Sequence, residues 1–479
     1  MPRIEIPFAG SSRAHRSPNV SAQKTINWYV EIVTDDQGKE LFRVLIGTPG
    51  LELFSSISGQ GVRGIHMAPN STKFWAVMGN KFYEVLNNGT ATVKGTLTTS
   101  SGPVHMDDNG THILIVDGSA TGYVYTIATG DWDGDLAVTD SDFVGGDDVV
   151  FIDGYFFVIQ PGTNILQSCT APYGTIPTTW SALDTYSTAL SDAGPLTALD
   201  KLNRQLWAIG DFSGQVFYNN EGTDFPFARL DGVDLQMGIW ARATLRELDG
   251  SLFWLGKTKN GGPTVVRTNG YQPLRISDHA IEFAMGQMST VADAYADTYT
   301  EEGHSFYVLT FPTGNRTFAF DLATSEWHER SSYGLGRHRA FGHIFFNNYH
   351  IVGDHTSGKL YKQRLDKYDD DGSMIIRTRR CQHVKDKLTP LEIPKLIIDV
   401  ETGVGLISGQ GSDPQMMLRY SKDGGHTWSN ERTRPVGKIG EYGKKVEFTR
   451  LGSAEDWVFE ISVSDPVKWN ITGAYVGDE

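Results

Sequence analysis

Asp131, Asp133 and Asp135 are the first residues in this sequence whose spacing could do chemistry, because calcium loops begin with alternating carboxylates. Asp142 follows at the last position of such a loop. The loop also needs a glycine at its sixth position and helices on both sides, but Leu136 occupies that position and neither flank has a helical pattern. The sequence therefore predicts a solvated acidic loop here.

Gly256-Lys257-Thr258 matches the end of a phosphate-binding loop. That loop requires a glycine five residues before Gly256, where this chain has Ser251, and the residues that follow have the composition of a turn and a strand. A phosphate would then lack the aligned N–H groups of a helix N-terminus. We expect no nucleotide site in this segment.

Several histidines lie close together in the sequence: His338, His343, His350 and His355. None forms the His-Glu-x-x-His pair of a helical zinc site, and alternation along strands would distribute them between two faces. His328-Glu329-Arg330 could supply an acid and a base, but adjacent strand residues do not share one face. The sequence thus predicts no catalytic residue, no cofactor and no metal ligand.

The most specific motif is Ser421-Lys-Asp423-Gly-Gly425-His-Thr427-Trp428, which matches the pattern S-x-D-x-G-x-T-W. In such a turn the serine and aspartate can accept backbone hydrogen bonds, the glycine can take a positive φ, and the tryptophan can pack beneath the hairpin. The motif resembles the Asp-boxes of sialidases, which occur several times per chain and lie away from the catalytic residues. A single copy predicts a structural turn.

Composition restricts the class of protein. Of the 479 residues, 39% are hydrophobic and 11% aromatic, and 53 are glycine, which is typical of a folded chain with many strands and tight turns. The formal charge of −15 argues against a general duplex-binding surface, because phosphate contacts need clustered Lys and Arg. Cys169 and Cys381 are too far apart in sequence to form a disulfide framework. We expect neither a signal peptide nor a membrane span.

One strand–turn–strand pattern recurs along the chain, beginning with residues 74–85 and ending with residues 349–361. The turns are anchored at Gly79, Gly118, Pro161, Gly210, Gly256, Pro312 and Gly353. The gaps between these anchors average about 46 residues, which is typical of the four-stranded blades of a β-propeller. The pattern predicts about seven blades, with each hairpin as the two middle strands of a blade. A pair of β-sandwiches is the alternative.

The two ends of the chain differ from this repeat. Residues 1–50 form a locally basic arm with the first strands, which would dock on a neighbouring subunit or pack beside the first blade. The propeller body is expected over residues 51–372, and residues 373–479 have six strand-like runs that predict an additional C-terminal antiparallel β-sandwich-like domain containing the Asp-box hairpin. One short helix is predicted at residues 289–299. The fold class is therefore all-β.

Ten segments in a fixed order carry a family resemblance across nearly the whole chain. They are residues 27–31, 47–51, 151–162, 225–227, 253–256, 269–277, 303–313, 321–330, 421–429 and 450–452. In this order they resemble the packaged-DNA stabilisation proteins of short-tailed, podovirus-type bacteriophages, which are tail hub or nozzle subunits. The chain departs from that pattern at residues 166–168 and 180–195.

The resemblance implies a structural virion protein that is assembled in the cytoplasm of the host bacterium and is located in the tail. Its partners would be other copies in a ring of six, the adaptor (head-to-tail connector) ring below the portal, a needle or plug, and tailspike or fibre proteins. Such a subunit closes the DNA channel, retains the packaged genome and permits its ejection. The resemblance implies no enzymatic activity.

An acidic lumen would suit that task, because carboxylates repel phosphates and allow genomic DNA to slide without sequence-specific binding. The candidate lumen residues are Asp147, Asp148, Asp369, Asp370 and Asp371, with solvated outer loops as the alternative for each. Two other functions stay open, a phage-borne sialidase-like glycan hydrolase and a host-surface-binding propeller. The hydrolase would be expected to carry several Asp-boxes, and the sequence contains one.

Overall fold

Short strands make up most of the chain, as the composition predicts. The computed structural model describes residues 3–57, 59–130, 132–137, 140–188, 194–222, 225–387 and 389–477, with residues 132–137 described by their backbone. Besides strands, these residues contain the α-helix His279–Gly286 and the 3-10 turn Arg242–Thr244. No helix in this part of the chain is long and apolar enough to cross a membrane.

Four antiparallel sheets of four strands follow one another from residue 62. Blade 1 contains Val62–His66, Lys73–Met78, Lys81–Leu86 and Ala91–Thr96. Blade 2 contains His105–Asp108, His112–Val116, Gly122–Thr126 and Trp132–Ala137. Blade 3 contains Val149–Ile152, Tyr155–Ile159, Ile165–Thr170 and Thr185–Ser187. Blade 4 contains Leu196–Leu202, Gln205–Gly210, Gly214–Asn219 and Phe227–Leu235.

Three more blades complete the circle. Blade 5 contains Gly238–Ile239, Arg246–Leu248, Ser251–Lys257, Thr264–Asn269 and Gln272–Arg275. Blade 6 contains Tyr295–Glu301, His304–Phe311, Arg316–Asp321 and Glu326–Arg330. Blade 7 contains Ala340–Phe346, Tyr349–Asp354, Lys359–Arg364 and, from the other end of the sequence, Gly50–Ser56.

The described residues therefore form a seven-bladed propeller, which confirms the predicted fold class. All seven anchors lie at or beside the turn between the second and third strands of a blade. The inner strands of neighbouring blades contact one another around the axis, and the contact between Ala340–Phe346 and Val62–His66 completes the circle.

The alternation of side chains along a strand explains why the blades stack. In blade 2, Ile113 and Ile115 pack in one core with Trp75 of blade 1, whereas Leu114 and Val116 pack in another core with residues of blade 3. Successive strand residues point to opposite faces, so a strand that is apolar at every position requires a neighbour on each side. Stacking blades around an axis supplies both neighbours.

An N-terminal strand closes the propeller. Gly50–Ser56 pairs antiparallel with Lys359–Arg364, with Leu51 opposite Gln363, and becomes the fourth strand of blade 7. The short hairpin Asp369–Asp370 and Ser373–Met374 then covers the other edge of Gly50–Ser56. Blade 7 thus joins strands that are separated by about 300 residues in the sequence.

The C-terminal β-sandwich consists of two sheets, and both include N-terminal strands. One sheet contains Ile4–Ile6, Trp28–Thr34, Glu40–Gly47, Leu391–Val400, Val446–Ala454 and Asn470–Val476. The other contains Arg13–Ala14, Ala22–Ile26, Arg377–Arg380, Gln415–Ser421, Arg432–Pro435 and Val458–Val463. All six predicted C-terminal runs form strands, which confirms the expected sandwich.

The second sheet continues into the propeller. Ala22–Ile26 pairs with Arg377–Arg380 on one side and meets the last strand of blade 6 on the other, where Ile26 lies opposite Glu329. The N-terminal arm is therefore built into the sandwich and the edge of blade 6, not placed beside the first blade. The expected domain bounds 1–50, 51–372 and 373–479 stay predictions.

A buried arginine fixes the arm to the sandwich. The guanidinium of Arg379 is fully buried and donates hydrogen bonds to five acceptors on the arm. These are Phe8 O at 2.6 Å, Gly10 O at 2.9 Å, Ser11 O at 3.1 Å, Thr25 Oγ1 at 2.7 Å and Gln23 Oε1 at 2.9 Å. Because a buried charge is costly unless its hydrogen bonds are made, these contacts specify the path of the arm.

The predicted helix at residues 289–299 is wrong. The helix begins earlier, at His279, where the Asp278 side chain accepts hydrogen bonds from the N–H groups of Ala280 and Ile281. Residues from Tyr295 onward form the inner strand of blade 6, because pairing with His304–Phe311 and burial of alternate side chains outweigh the weak local helical pattern.

Truncating the closing strand should destabilise the propeller. Leu51 is fully buried against Val352 and Tyr361, so Leu51→Ala should lower the free energy of unfolding by about 2–5 kcal/mol through lost burial and a cavity. Leu53, two residues along the same strand, is 42% exposed, and Leu53→Ala should change stability by less than about 0.5 kcal/mol. Chemical denaturation of both variants measures this difference. Equal losses would contradict the closing role of Leu51.

Candidate functional site

The Asp-box residues form one hydrogen-bonded turn after the strand Gln415–Ser421. The carboxylate of Asp423 accepts the Ser421 hydroxyl at 2.6 Å, the Thr427 hydroxyl at 2.5 Å and the N–H groups of His426 and Thr427 at 3.0 and 2.8 Å. These donors hold the pKa of Asp423 well below its usual range. The turn therefore requires an ionised aspartate.

Gly425 and Trp428 complete the turn. Gly425 has a φ of +98°, and its N–H donates to the Ser421 hydroxyl at 2.8 Å. The indole N–H of Trp428 donates to Gly425 O at 3.2 Å, and the Arg380 guanidinium lies 4.4 Å from the ring centroid. The Trp428 ring is thus held between the turn and the neighbouring strand.

The Asp-box turn contacts the N-terminal arm. His426 Nε2 lies 3.0 Å from Asn19 Oδ1. Beside it, His383 Nε2 lies 2.8 Å from Pro18 O, while His383 Nδ1 lies 2.7 Å from a carboxylate oxygen of Asp456. These contacts add a second attachment of the arm to the sandwich, beyond the one made by Arg379.

Asp148, a predicted lumen residue, is buried inside the propeller. Its carboxylate accepts the N–H groups of Val149 and Leu199 at 3.0 and 2.9 Å and lies 3.0 Å from His105 Nδ1. Burial opposes ionisation, but His105, Arg242 and the backbone donor outweigh it and lower the pKa of Asp148. The lumen role of Asp148 stays a prediction, and these contacts, which join blades 2, 3 and 4, do not support it.

Asp370 is also buried, in the hairpin that covers the closing strand. It accepts the Ser332 hydroxyl at 2.9 Å, and burial raises its pKa to about 6. The lumen role of Asp370 likewise stays a prediction, which the burial of its side chain does not support.

Three of the predicted lumen acids keep partly exposed side chains. Asp147 accepts the N–H of Gly162 at 3.2 Å, and Asp369 accepts the N–H of Gly372 at 2.9 Å. Asp371 forms an ion pair with Lys359 at 2.7 Å. Asp147, Asp369 and Asp371 thus stay candidates for the lumen.

A polar cavity of about 200 Å³ lies on the propeller axis. Charged and imidazole side chains from five blades line it, among them Arg63, His105, Arg246, Asp297 and His343. Burial raises the pKa of Asp297 to about 6, although the nearby Arg246 opposes the shift. Burial likewise raises the pKa of Asp200, on the inner strand of blade 4, to about 7. Polar and charged side chains of the inner strands thus line this space.

His66, Asp107 and Asp108 form a group on blades 1 and 2 whose potential ligand atoms lie within 4.8 Å of one another. His66 Nε2 lies 2.8 Å from a carboxylate oxygen of Asp108. One oxygen of Asp107 already accepts the Phe151 N–H at 2.7 Å and the Lys201 ammonium at 2.9 Å. Because these donors occupy the carboxylate, the group is explained as an ion-pair network that links blades.

The structure describes the segment that partly matches a phosphate-binding loop, but not the side chains of the first three aspartates of the calcium-loop pattern. Lys257 lies in a strand of blade 5, with Nζ 3.2 Å from Asp211 and 4.9 Å from the Trp240 ring centroid. This cation is engaged within the fold, and the segment is a strand, as predicted. The side chains of Asp131, Asp133 and Asp135 lie outside the described residues.

Two of the four clustered histidines share one strand face, although alternation along strands predicted that the histidines would be distributed between two faces. His343 Nε2 and His350 Nδ1 lie 2.9 Å apart, because the two residues sit diagonally on paired strands of blade 7 and share a face. Burial lowers the pKa of His343 to about 3, so this imidazole is neutral. In blade 6, the Glu329 carboxylate accepts the Ser12 hydroxyl and the Arg316 guanidinium, both at 2.8 Å. The Arg330 guanidinium donates instead to His328 Nε2 at 3.3 Å.

A larger cleft of about 610 Å³ lies between blades 6 and 7 and the sandwich, and sequence reasoning missed it. Its lining includes Glu301, Arg364, Lys468 and Trp469, which come from separate parts of the chain. Burial raises the pKa of Glu301 to about 7. No local pattern could predict the cleft, because the closing strand and the arm bring its walls together.

Comparison with known proteins gives two matches to one family. Residues 5–367 match the family model described as bacteriophage P22 Gp10, beta-propeller, and residues 381–479 match the one described as bacteriophage P22 Gp10, beta-sandwich. No curated protein matches the chain. Among solved structures, the chain is similar to the computationally designed Ika8 protein, with 11% identity, 75% of this chain and 98% of that chain covered, and a TM-score of 0.39.

Removing the Asp-box carboxylate should loosen the turn. Asp423→Ala leaves the Ser421 and Thr427 donors without their acceptor, so the free energy of unfolding should fall by roughly 1–2 kcal/mol. Asp413→Ala, at an exposed site in the same sandwich, should have little effect. Because the Asp423 pKa is lowered in the folded state, its contribution should be present above about pH 4 and disappear as the pH falls further. Denaturation at neutral and acidic pH checks both points.

Deprotonating the partly buried carboxyls of Asp200 and Asp297 should destabilise the fold. The folded pKa values of about 6 for Asp297 and about 7 for Asp200 exceed the unfolded value of about 3.9, so the folded state binds more protons and stability falls as pH rises between them. Asp297→Asn should therefore reduce the loss of stability between pH 5 and pH 8 by on the order of 1–3 kcal/mol. Asp231→Asn, at an exposed site, should retain the wild-type dependence. Thermal unfolding of both variants at several pH values measures this difference. The same pH dependence of stability in the two variants would contradict the expectation.

Proposed function

We propose, from the premise that this chain belongs to the phage stabilisation family of bacteriophage P22 Gp10, that it is a tail hub or nozzle subunit that retains packaged DNA. The observation that carries the proposal is the match of both family models, which together span nearly the whole chain. Family membership makes the chain a structural, tail-associated phage protein and a virion component. The subunit would dock below the portal and adaptor rings, close the DNA channel and permit ejection.

The small cavity on the propeller axis supports a channel made by several subunits. This cavity of about 200 Å³, lined by Arg63, Arg246 and Asp297, is too small for a DNA duplex. The major and minor grooves of such a duplex are already about 12 and 6 Å wide. DNA would therefore pass beside the propellers, through a lumen that their outer surfaces enclose. A ring of six subunits, as the resemblance implies, supplies such a lumen.

The charge of the chain suits that lumen. Six subunits at −15 each would carry a formal charge of −90, which repels phosphates and avoids the salt-dependent grip of a basic surface. Of the five acids predicted for the lumen, Asp147, Asp369 and Asp371 have partly exposed side chains and could contribute to its negative charge. DNA would slide past them without sequence-specific recognition.

The closed fold suits mechanical retention. Packaged DNA pushes on whatever closes the channel, and a propeller with an unpaired edge could open along it. Here Gly50–Ser56 pairs the edge of blade 7, and Arg379 anchors the arm that precedes this strand. The load would then act on backbone hydrogen bonds between strands from opposite ends of the chain.

We propose no enzymatic activity for this chain. Burial raises the pKa of the Cys169 thiol to about 12 and that of the Cys381 thiol to about 11, so neither is a ready nucleophile. The proposed partners are the adaptor ring, a distal needle or plug, and tailspike or fibre proteins, and the proposed place of assembly is the cytoplasm of the host bacterium.

Assembly on the adaptor tests the proposal. Light scattering and negative-stain microscopy of the purified chain, with and without the purified portal–adaptor complex, should show a sixfold ring bound below the adaptor. Portal alone, without the adaptor, is the control and should bind no chain.

The retention function needs its own measurement. Packaged particles that have portal and adaptor but lack this chain should lose their genome, and addition of the purified chain should prevent the loss, as followed by nuclease-accessible DNA. A monomer that ignores the adaptor, or a ring that does not slow the loss, would contradict the proposal.

A further inference from the structure

The loop between the third and fourth strands of blade 3, residues 171–184, exposes large apolar side chains. Tyr173 is 78% exposed and Leu183 is 81% exposed. The loop has no charged residue before its last, Asp184. We call this segment the blade 3 loop, and its composition differs from that of an otherwise acidic chain.

The blade 3 loop is fixed to blade 2. The side-chain amide of buried Asn109, in the first turn of blade 2, donates to Ala171 O at 2.9 Å and to Thr175 O at 2.8 Å. The N–H of Gly174 donates to the Thr111 hydroxyl at 3.0 Å. A folded loop thus presents the exposed side chains, so a partner that docks on them pays little for ordering the loop.

A second apolar surface lies on the sandwich, where residues 401–414 and 436–445 meet. We call this pair of loops the sandwich tip. Ile407 is 88% exposed and Tyr442 is 76% exposed. The Thr402 hydroxyl donates to Tyr442 O at 2.8 Å, which joins the two loops. The tip contains three acids and three lysines, so its formal charge is zero.

These two surfaces contain the most exposed apolar side chains of the described residues. Large apolar side chains that are more than three quarters exposed occur there at four positions, Tyr173, Leu183, Ile407 and Tyr442, two in each surface. Soluble surfaces seldom group such residues. Each surface also has a tyrosine and little net charge, as the centres of protein interfaces do. Both surfaces therefore indicate contacts with protein.

The sandwich and the blade 3 loop lie on opposite sides of the propeller axis. The sandwich is joined to blade 6, where Ile26 pairs with Glu329, and it lines the cleft beside blades 6 and 7. Blade 3 is three blades away from blade 6 in one direction and from blade 7 in the other. The two apolar surfaces therefore do not cover each other within one copy.

We propose that the sandwich tip of one copy docks on the blade 3 loop of the next copy. Ile407 and Tyr442 would pack against Tyr173 and Leu183 of the neighbour. A contact between two different surfaces repeats from copy to copy and closes into a ring when the rotation fits. The inference rests on the proposed ring of subunits and names the contact that joins them.

The charge of the chain favours contact at these two surfaces. Copies that each carry −15 repel one another, and the repulsion is least where the touching surfaces have few unbalanced charges. The tip has a formal charge of zero, and the blade 3 loop has Asp184 alone. An adaptor that covered one of the surfaces would leave the other in water, whereas contacts between copies cover both.

The size of the surfaces predicts a contact that is weak alone. A few exposed side chains cover less than the roughly 800 Å² per partner of a stable interface. In a closed ring each copy is held twice, by its tip and by its loop, and the last contact forms at a high effective concentration. The ring should therefore form most readily where the adaptor gathers the copies.

Cysteine cross-linking of the adaptor-bound chain tests the contact. Leu183→Cys with Ile407→Cys, treated with a short bis-maleimide, should give covalent multimers of up to six chains, because every copy has one cysteine on each surface. The native Cys169 and Cys381 are buried, so the wild-type chain should give none. Val93→Cys with Ile407→Cys is the matched control, since Val93 is 50% exposed on the outer strand of blade 1, and it should give none either.

Single-cysteine variants show whether the contact joins different surfaces. Leu183→Cys alone and Ile407→Cys alone should stay uncross-linked, because neither residue would meet its own copy. Absence of multimers from the double variant would overturn the proposal. Multimers from a single-cysteine variant, or from the control pair, would also overturn it.

Mixing two charged variants tests the same contact without a cross-linker. The tip variant Ile407→Glu with Tyr442→Glu and the loop variant Tyr173→Glu with Leu183→Glu should each self-associate at least about tenfold more weakly than wild type, because each would bury unpaired carboxylates. An equal mixture keeps one intact tip and one intact loop, so it should form pairs and no larger species. Sedimentation velocity measures these species, and circular dichroism verifies folding. Wild-type association of either variant, or a mixture that forms no pairs, would contradict the assignment.

The outcomes separate this inference from the tail hub proposal. A ring on the adaptor without cross-links between tip and loop would overturn this inference and leave the hub proposal standing. Cross-links between tip and loop in a chain that does not bind the adaptor would do the reverse. A chain that neither binds the adaptor nor cross-links would overturn both.

Discussion

The strand Gly50–Ser56 is the constraint on which the rest of the fold depends, because without it blade 7 has three strands and an unpaired edge. A propeller stacks every blade between two neighbours, so an incomplete blade weakens its contacts with blades 1 and 6 as well. The strand can pair only after residues 359–364 have been made, so closure is a contact between distant parts of the sequence. Fully buried Leu51 shows that this strand also contributes to the core.

The closing strand also explains why the sandwich is built from both ends of the chain. The sequence passes through Trp28–Thr34 and Glu40–Gly47 in the sandwich before it enters the propeller, and it returns to the sandwich at Arg377–Arg380. The arm must therefore be fixed where it begins, and Arg379 and the Asp-box turn do so from two sides. The single Asp-box accordingly has a structural role in this chain, whose contacts hold Asn19 and its neighbours.

Local patterns predicted the blades, whereas contacts between distant residues decided the features that the sequence did not reveal. Anchors such as Gly79 and Pro161 mark turns between adjacent strands, and a continuous apolar run such as residues 113–116 is visible in sequence. The burial of Asp148 depends on Leu199 and His105, which belong to other blades, and no spacing rule connects these residues. The helix predicted at residues 289–299 failed similarly, because a partner strand decided the conformation of Tyr295.

The charged residues of the subunit fall into two groups: some stabilise contacts within the fold, and others lie on its outer surface. Asp148, Asp370 and Asp423 are engaged by donors of the same chain, so they stabilise particular contacts. The charges that remain available lie on the outside of a chain whose formal charge is −15. An acidic surface repels DNA phosphates, so a lumen that such surfaces enclose would not hold the genome by charge. A subunit with its polar groups arranged in this way would act through the shape and charge of its outer surface.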